Sequence, residues 1–504
     1  MSERKRGLYL LVFFPLVFLG LFVLAQANLA KIIDARLSEQ GLEVQSSGTT
    51  ISLWSRSILL DSLRLSHPSG SQLFCTKLEI TGIHLFDLMF KNGFSANTLA
   101  VDTLFIRLNM PTDSLDVMLK GTAKPKKDYA FSRVRVGRGG IHYSNADQEV
   151  LSLGFVINAL QVDSKTGFGE GSVALNQLRY YLPEDGGMVT IDSLVLDLNK
   201  KQLGAKKLAL TPVLDIPAFV KRFPYQKDRI DLQVASMTLE DLDLAGVFEG
   251  GGVKCERVKL DTVALEVFRD KQLKRAKQPD KPLFIDWLKA SPLPVSVDTF
   301  VLTKASILYK EHYPPSNERA YVSFTQLHAT AYRIYSESQL PIVLEAQAVV
   351  QHQGRLRVRF DLSDRPEGSR VVGSLSGMEL ARFNTMSVPA VGMNISKGVL
   401  NRMTFDFHYN HKIVNGILDM DYEDLSIQLV DKETKSQNIA QQVGSFMVNT
   451  FKVKSSNNRT QKSYNQGLIA YDREPEKSEI SLWWKALLSG IKSSVGVEKK
   501  KEAA

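Results

Sequence analysis

Five aspartates occupy the same place in a phrase that returns along the chain: apolar, Asp, Ser or Thr, apolar, any residue, apolar. They are Asp61, Asp102, Asp192, Asp261 and Asp298. Carboxylates brought close together would support acid–base catalysis or metal binding. Successive copies are separated by 37 residues (261 to 298) to 90 residues (102 to 192), and each follows a turn-like stretch. We therefore interpret the aspartate as the residue that starts a strand after a turn.

Other residues of catalytic or metal-binding type occur without the context that such chemistry needs. His408 and His411 form a His-x-x-His pair, but they lie in a predicted hairpin turn with no third ligand. Gly167–Gly171 lacks the strand–turn–helix pattern of a dinucleotide-binding loop. Gly373–Gly377 has Leu375 where a nucleophile elbow has serine. We therefore expect no enzymatic activity, no catalytic residue, no metal site and no cofactor.

The apolar residues of the repeated phrase predict one side of a sheet. The second and fourth residues after each aspartate are apolar in every copy, and in a strand these positions share a face. Repetition of one strand phrase predicts a long sheet built from similar layers. We expect the pairs either to line an apolar groove or to form ordinary core under a helix or loop. They are Leu63 with Leu65, Leu104 with Ile106, Leu194 with Leu196, Val263 with Leu265, and Phe300 with Leu302.

Length and composition indicate a folded, mildly basic protein. The chain has 504 residues, 44% hydrophobic and 23% charged, with a formal net charge of +9. The basic clusters, at Arg4–Arg6, Arg269–Lys281 and Lys499–Lys501, are interpreted as solvated ends and a solvated loop, or as contacts with anionic lipid headgroups. No nucleic-acid-binding fold signature accompanies the charge, so we expect no nucleic-acid partner.

The two cysteines, Cys75 and Cys255, lie in apolar, strand-like text. Two cysteines are too few for a disulfide framework, and their separation fits no metal-ligand spacing. Buried free thiols and one long-range disulfide are the two interpretations.

The N-terminus predicts export of the body of the chain. Leu8–Ala25 contains no charged residue and follows the basic flank Arg4–Arg6. Eighteen residues of helix rise roughly 27 Å, which nearly spans a bilayer core, and the basic flank is expected to stay in the cytoplasm. The alternative is a signal peptide cleaved near Ala25-Gln26-Ala27. We favour a retained single-span anchor.

The body reads mostly as antiparallel strands. In Arg355–Leu362 apolar and charged residues alternate, and Leu344–Val350 is expected to pair back on it as a hairpin. A second hairpin joins Met403–Tyr409 to Ile417–Tyr422, with Asn415-Gly416 near its turn. At about 14 residues per strand and turn, roughly 25–30 strands fit between residues 51 and 430, and so long a sheet must twist and curl.

Few segments of the sequence have a helical pattern. The predicted helices are Lys31–Gly41, Asp215–Arg222, Leu283–Lys289, Met378–Asn384, Ser436–Phe451 and Ser481–Val495. The last of them is expected to cap the end of the sheet, which would protect the final edge strand from pairing. Its Trp483 and Trp484 are expected either to pack over the sheet or to dock at a membrane interface.

The C-terminal quarter resembles the C-terminal region of AsmA-like envelope proteins, the superfamily that includes the TamB type, in its Bacteroidota-type branch. The resemblance covers about residues 370–495 and is carried by Gly377–Asn384, Ile395–Leu400, Asn415–Leu418, Tyr422–Ile427, Tyr471–Arg473 and Trp484–Lys492. It implies an inner-membrane anchor, a periplasmic repeating β-groove with an apolar interior, and movement of lipids across a Gram-negative envelope. It implies no catalytic residues. This chain is short for the family, which favours a shuttle, a partial bridge or an assembly factor.

Together these features predict a mainly β fold: an N-terminal transmembrane helix, an elongated, curved antiparallel repeating β-groove with short helices, and a helix-capped C-terminus. The segments are the basic flank and anchor (1–28), the groove (29–370), the AsmA-like region with capping helices (371–495) and a basic disordered tail (496–504). The expected ligand is a phospholipid or other acyl lipid held in the groove, with the anchor in the inner membrane and the body in the periplasm. An outer-membrane or envelope protein is a further partner compatible with this plan. The alternative is a non-enzymatic envelope scaffold or assembly factor that engages partners through β-edges.

Overall fold

The fold is mainly β, as predicted. The computed structural model describes residues 43–52, 54–84, 87, 93–111, 128–146, 148–165, 167–183, 186–244, 246, 252–276, 279–314, 319–337, 340–430 and 453–496. Of these residues, 65% lie in strands and 11% in helices. The predicted anchor Leu8–Ala25 and the predicted helices Lys31–Gly41 and Ser436–Phe451 lie outside the described residues. No helix within the described ranges has both the length and the hydropathy needed to cross a bilayer.

Twenty strands have described bounds: β1 (Glu43–Ser52), β2 (Ser57–Ser66), β3 (Gln72–Ile83), β4 (Gly93–Asn109), β5 (Asp128–Asn145), β6 (Gln148–Asp163), β7 (Gly167–Phe168), β8 (Ser172–Leu182), β9 (Gly187–Asp197), β10 (Gln202–Thr211), β11 (Asp228–Glu240), β12 (Val253–Asp270), β13 (Val295–His312), β14 (Arg319–Tyr335), β15 (Ile342–Val350), β16 (Gly354–Leu362), β17 (Ser369–Glu379), β18 (Met393–Tyr409), β19 (Ile413–Leu429) and β20 (Gly467–Asp472). The predicted count of 25–30 was too high because strands such as β5, β12 and β13 each run for 18 residues.

Four α-helices have described bounds: α1 (Ile216–Arg222), α2 (Phe284–Lys289), α3 (Asn384–Val391) and α4 (Glu479–Ser494), and a 3-10 helix (Leu380–Phe383) precedes α3. Helices α1, α2 and α4 correspond to three of the predicted helices. The predicted helix Met378–Asn384 is wrong in its bounds, because its first two residues end β17 and the next four form the 3-10 helix, while α3 begins only at Asn384. Helix α1 begins where expected because Asp215 caps it, accepting a hydrogen bond of 2.9 Å from the backbone N–H of Ala218.

The chain forms two compact units. Unit 1 comprises Met1–Val213 and Ser236–Glu256, and unit 2 comprises Leu214–Ala235 and Arg257–Ala504. All four α-helices with described bounds belong to unit 2. Unit 1 is therefore described almost entirely by its strands.

In unit 1, neighbouring strands pair mostly in antiparallel order. Strands β1 to β4 pair successively, β6 pairs with β5, β7 and β8, and β8 to β10 pair successively. The exception is β4 with β5, which is parallel over fifteen residue pairs. The predicted wholly antiparallel sheet is therefore wrong at this point. A parallel pair needs a crossover connection of a dozen residues or more, and residues 110–127 between the two strands are long enough to supply it.

In unit 2, strands β13 to β20 each pair antiparallel with the next. Both predicted hairpins are present, as β15–β16 and β18–β19. Gly416 lies near the second turn and pairs with Phe407 inside the strands. A Cβ at Gly416 would lie 2.3 Å from the carbonyl oxygen of Asp406, so this glycine is required by close packing of the strands.

Helix α4 covers the last strands of unit 2. Its buried positions Leu482, Ala486 and Gly490 recur every four residues and so share one helical face. A Cβ at Gly490 would lie 2.7 Å from Ile469 Cγ1 and 2.9 Å from Leu418 Cβ. The glycine thus allows the helix axis to approach β19 and β20 closely.

The same helix occupies the edge of β20. Ser493 Oγ accepts a hydrogen bond of 3.0 Å from the backbone N–H of Leu468, and Ser489 Oγ accepts one of 3.2 Å from that of Ala470. Free N–H groups on an edge strand are the groups that recruit another strand. Two side chains one helical turn apart therefore remove donors that an additional strand would use.

Candidate functional site

At the repeated phrase, the regular alternation of inward-facing and outward-facing side chains along the strand is interrupted, and we call this interruption the slip. In β2, Ile58 and Leu60 are buried, Asp61 and Ser62 follow on the outer side, and Leu63 begins the buried series again. Uninterrupted alternation would put residues three apart on opposite faces. Because two consecutive polar residues face outward, the apolar residue before the aspartate lies on the same face as the two apolar residues that follow it. In β2 these three residues are Leu60, Leu63 and Leu65.

The slip is built by left-handed backbone in the neighbouring strands. Asp61 lies in register between Gly48 of β1 and Lys77 of β3, whose φ angles are 64° and 46°. A Cβ at Gly48 would lie 1.8 Å from the Asp61 carboxylate. Glycine is thus needed at the outer strand, because a side chain there would both strain the backbone and clash with the carboxylate.

The same arrangement returns at later copies of the phrase. Asp192 lies between Gln177 and Lys207 in register, with φ angles of 52° and 49°, and the ammonium of Lys207 lies 3.2 Å from its carboxylate. Asp261 faces Lys304 (φ 51°), 3.8 Å from its ammonium. The aspartates therefore accompany a line of backbone kinks on the outer side of the strands.

The expectation that these aspartates start strands is wrong. Asp61 and Asp192 lie in the middle of β2 and β9, and Asp298 is the fourth residue of β13. Turn-like composition misled the interpretation because a kink inside a strand uses the same residue types as a turn. Hydrogen bonds from the hydroxyls of Thr303 and Thr262 lower the pKa of Asp261, so its ionised form is stabilised.

Three predicted lining residues lie in one row across unit 1. Leu63, Leu104 and Leu194 are aligned although 131 residues separate the first from the last (63 to 194). In register order the row is Leu63, Cys75, Leu104, Gly139, Phe155, Leu175, Leu194 and Ala205. The phrase therefore marks one level of the sheet.

The second members of the pairs divide between two rows. Leu65 and Ile106 are aligned through Leu73, whereas Leu196 is aligned with Val173, Ile157, Val136, Val101, Leu78 and Leu60. Strand β9 runs in the direction opposite to β2 and β4. Counting four residues forward from the aspartate therefore leads away from the first row in one direction in β2 and β4, and in the opposite direction in β9. Strand direction, which the phrase does not contain, decides this placement.

Burial separates the candidates of unit 1 into two groups. Leu63, Leu65 and Leu104 are buried in a core formed by β2 to β6, and Ile106 packs against that core. Leu194 and Leu196 are only half-buried. The first group fits the ordinary-core interpretation, and the second remains accessible to a ligand.

Strands β8 to β10 present a continuous, half-buried apolar surface, which we call the β8–β10 apolar face. Register and burial place on it Val173, Leu175 and Leu178 of β8, Val189, Ile191, Leu194 and Leu196 of β9, and Leu203, Leu208 and Leu210 of β10. None of these side chains carries a charge. Val173 and Leu175 also pack against the core of β2 to β6, so the face adjoins that core. The β8 and β10 residues were missed from the sequence because their strands lack the aspartate. The signal that would have found them is two polar residues between apolar ones inside a strand, as in Leu175–Leu178 and Ala205–Leu208.

In unit 2 the predicted residues are also half-buried. Phe300 and Leu302 pair with Ala331 and Ala329 of β14, and the small alanines leave the two larger side chains prominent on this face. Val263 and Leu265 of β12 have the same intermediate burial. These four residues are therefore accessible to a ligand.

Farther along the unit 2 sheet the same face is core. In register, Phe300 is followed by Ala331, Leu344, Phe360, Val371, Phe407, Gly416 and Ile469. The Trp483 ring of α4 packs on this face, with ring centroids 4.6 Å from Phe360 and 6.4 Å from Tyr409. Within unit 2 the apolar face is therefore half-buried at β13 and covered by α4 toward β20.

The opposite face of the unit 2 sheet contains a depression of about 800 Å³ over β13 to β19, lined by both charged and apolar side chains. Some of its charged groups form ion pairs: Arg359 pairs with Glu345 at 2.8 Å and with Asp361 at 2.9 Å, and Asp419 pairs with Arg459 at 2.5 Å. At these positions an apolar ligand would have to displace water from paired ions, which is unfavourable. The ion pairs distinguish this face from the apolar face on the other side of the sheet.

The histidine pair spans the start of a hairpin turn: His408 belongs to β18 and His411 to the turn. Strand β18 ends at Tyr409 and β19 begins at Ile413, and Asn410 Oδ1 accepts hydrogen bonds from the backbone N–H groups of Lys412 (2.9 Å) and Ile413 (3.1 Å). The turn interpretation is confirmed for His411 and wrong for His408, which lies in a strand. Among the residues that the structure describes, no three His, Cys, Asp or Glu side chains are grouped so as to hold a metal ion.

We expect Cys75 to be inert to alkylation in the folded chain. Both cysteines are buried thiols, and burial raises the pKa of the Cys75 thiol from 9.0 to about 11. The thiolate is the reactive form, so at pH 8 its population falls about 100-fold relative to an unshifted thiol. Iodoacetamide labelling followed by peptide mass mapping measures Cys75 in native and denatured chains. Labelling of Cys75 at the denatured rate in the native chain would contradict the burial described here.

Comparison with known proteins adds no relative. No family model matches this chain, and no curated protein matches it. The AsmA-like resemblance therefore depends on the C-terminal residues quoted above and stays a prediction.

Proposed function

We propose that this chain binds the acyl chains of lipids along the apolar faces of its sheets and so contributes to lipid transport or to biogenesis of the outer membrane and envelope. The observation that carries the proposal is the β8–β10 apolar face. Three neighbouring strands align ten apolar, half-buried side chains without a charge among them. Adjacent strands lie about 4.8 Å apart, so the face is wider than a single acyl chain.

The physical basis of binding is removal of apolar surface from water. Each buried methylene contributes about 0.8 kcal/mol before the entropic losses of association. This attraction has no direction and does not involve the headgroup. Phospholipids and other acyl lipids should therefore compete on chain length and saturation more than on headgroup chemistry.

The cellular placement belongs to the same proposal. Residues 8–25 would anchor the chain in the inner membrane with the basic flank in the cytoplasm and the body in the periplasm. The AsmA-like resemblance supports this arrangement. Within unit 2, Phe300 with Leu302 and Val263 with Leu265 would offer acyl-chain contacts of the same kind, because these pairs are half-buried as Leu194 and Leu196 are.

The test is mass spectrometry of lipids that remain with the purified full chain after exchange into a detergent that strips bulk membrane. We expect stoichiometric acyl lipid whose fatty-acid composition differs from that of the host membrane. A single-span protein whose body does not bind lipid, taken through the same exchange, controls for lipid around the anchor. Equal lipid in the two preparations would refute acyl binding by the body.

In that event the envelope scaffold would become the better hypothesis. A scaffold that recruits strands needs an open sheet edge. At β20 this edge is occupied by Ser489 and Ser493 of α4, so the structure offers less support for it at the C-terminal end than for lipid binding at β8–β10.

A further inference from the structure

Helix α4 is apolar on two opposite sides. One side, with Leu482, Ala486 and Gly490, is buried against the sheet. On the other side Ile480 is 71% exposed and Trp484 is 50% exposed, with Leu488 half-buried one turn farther on. These three residues are four apart and form one stripe along the helix. A helix that only caps a sheet should be polar on its outer side.

Helix α2 adds two aromatic residues to this surface. Its inner side chains Leu283, Ile285 and Leu288 belong to the unit 2 core, while Trp287 is 61% exposed and its ring stands 6.0 Å from that of Phe284. The backbone N–H of Phe284 donates a hydrogen bond of 2.7 Å to Glu479 Oε2. This bond places the start of α2 beside the start of α4. We call Phe284, Trp287, Ile480, Trp484 and Leu488 the docking patch.

The charges on the outward side of α4 are cationic, and α2 contributes one charge of each sign. Helix α4 contains two lysines, Lys485 and Lys492, and a single carboxylate, Glu479. That carboxylate is turned inward, accepting hydrogen bonds from the Phe284 backbone and from the buried Tyr409 hydroxyl. The outward side of α4 therefore combines tryptophan and aliphatic residues with lysines alone.

We propose that the docking patch inserts into the interface of an anionic lipid bilayer. Tryptophan is favoured at the boundary between headgroups and acyl chains, and each lysine near an anionic leaflet strengthens binding roughly fivefold. The aliphatic residues enter the acyl boundary as those of interfacial amphipathic helices do. This contact is separate from the N-terminal anchor and from acyl binding on the β8–β10 apolar face. It gives unit 2 its own attachment to a membrane surface.

The test uses the full chain held in phosphatidylcholine nanodiscs, mixed with vesicles that contain about 30 mol % phosphatidylglycerol or none. Co-sedimentation with the vesicles measures docking by a surface other than the anchor. We expect capture by anionic vesicles, and a loss of at least about tenfold in Ile480→Glu with Trp484→Glu, because two carboxylates oppose both the apolar and the ionic contribution. Trp54→Glu is the matched control: Trp54 is 99% exposed and lies outside the patch, so its replacement should leave capture unchanged.

A second variant keeps the proposal testable if the double glutamate change disturbs folding. Lys485→Glu with Lys492→Glu leaves the apolar stripe intact and should lower capture by anionic vesicles by at least tenfold while leaving binding to neutral vesicles almost unchanged. Leu194→Asp, which acts on the β8–β10 apolar face, should dock normally, so failure of acyl binding and failure of docking are distinguishable. Equal capture of all variants, capture of none, or capture only by an envelope protein would each overturn membrane docking.

Discussion

Leu194→Asp will remove most of the co-purifying lipid from a chain that remains folded. Leu194 is half-buried in the middle strand of the β8–β10 apolar face, aligned with Leu175 on one side and Ala205 on the other. A carboxylate there must stay hydrated, so it interrupts the apolar surface at its centre, and burying it unpaired under an acyl chain costs several kcal/mol. We expect bound lipid to fall at least about tenfold by mass spectrometry.

Val195→Asp is the matched control for this change. Val195 is the next residue of β9 and is exposed on the opposite face. The same side chain is thus introduced into the same strand one position away, and lipid content should stay at the wild-type level. Circular dichroism establishes that both variants keep their strands. Equal lipid loss in the two variants would show that β9 tolerates no charge and would remove the evidence for a binding face.

Trp483→Ala will destabilise unit 2 by about 3 kcal/mol, the lower end of the range for removing a packed tryptophan. The Trp483 ring contacts Phe360 and Tyr409 and closes the core between α4 and the sheet. Its removal leaves a cavity that neither β16 nor β18 can fill, because paired strands cannot move independently. Denaturant unfolding followed by circular dichroism measures the loss as a lower transition midpoint for unit 2.

Trp484→Ala provides the comparison, since the same residue type is removed one position along the same helix. Its half-exposed side chain points away from the sheet, and we expect a loss below about 1 kcal/mol. Similar losses for the two variants would mean that α4 is not seated as described. In vesicle binding the order reverses, because Trp484 belongs to the docking patch and Trp483 does not.

The different roles of Trp483, which packs on the sheet, and Trp484, which faces outward, could not be assigned from the sequence. Both lie on one predicted helix, and packing on the sheet and docking at a membrane were the two interpretations. Neighbouring helical residues differ by 100° in direction, so one tryptophan can take each role. Which of them packs inward depends on Gly490 and on the strand surface it meets. That surface is formed by Leu418 and Ile469, which are 51 residues apart in the sequence (418 to 469).

The sequence by itself determined the local periodicity. It predicted the strand-rich character of the chain, the helices at 216–222, 284–289 and 479–494, and same-face pairs such as Leu63 with Leu65. These follow from alternation and helical repeat, which involve only a few consecutive residues. The tertiary structure decided the rest. It placed Leu60 on the face of Leu63 through backbone kinks, put Leu196 in a different row from Leu65 through strand direction, and made Leu63 core but left Leu194 accessible. Register, kinks and burial depend on which strand or helix lies opposite, and no short stretch of sequence contains that partner.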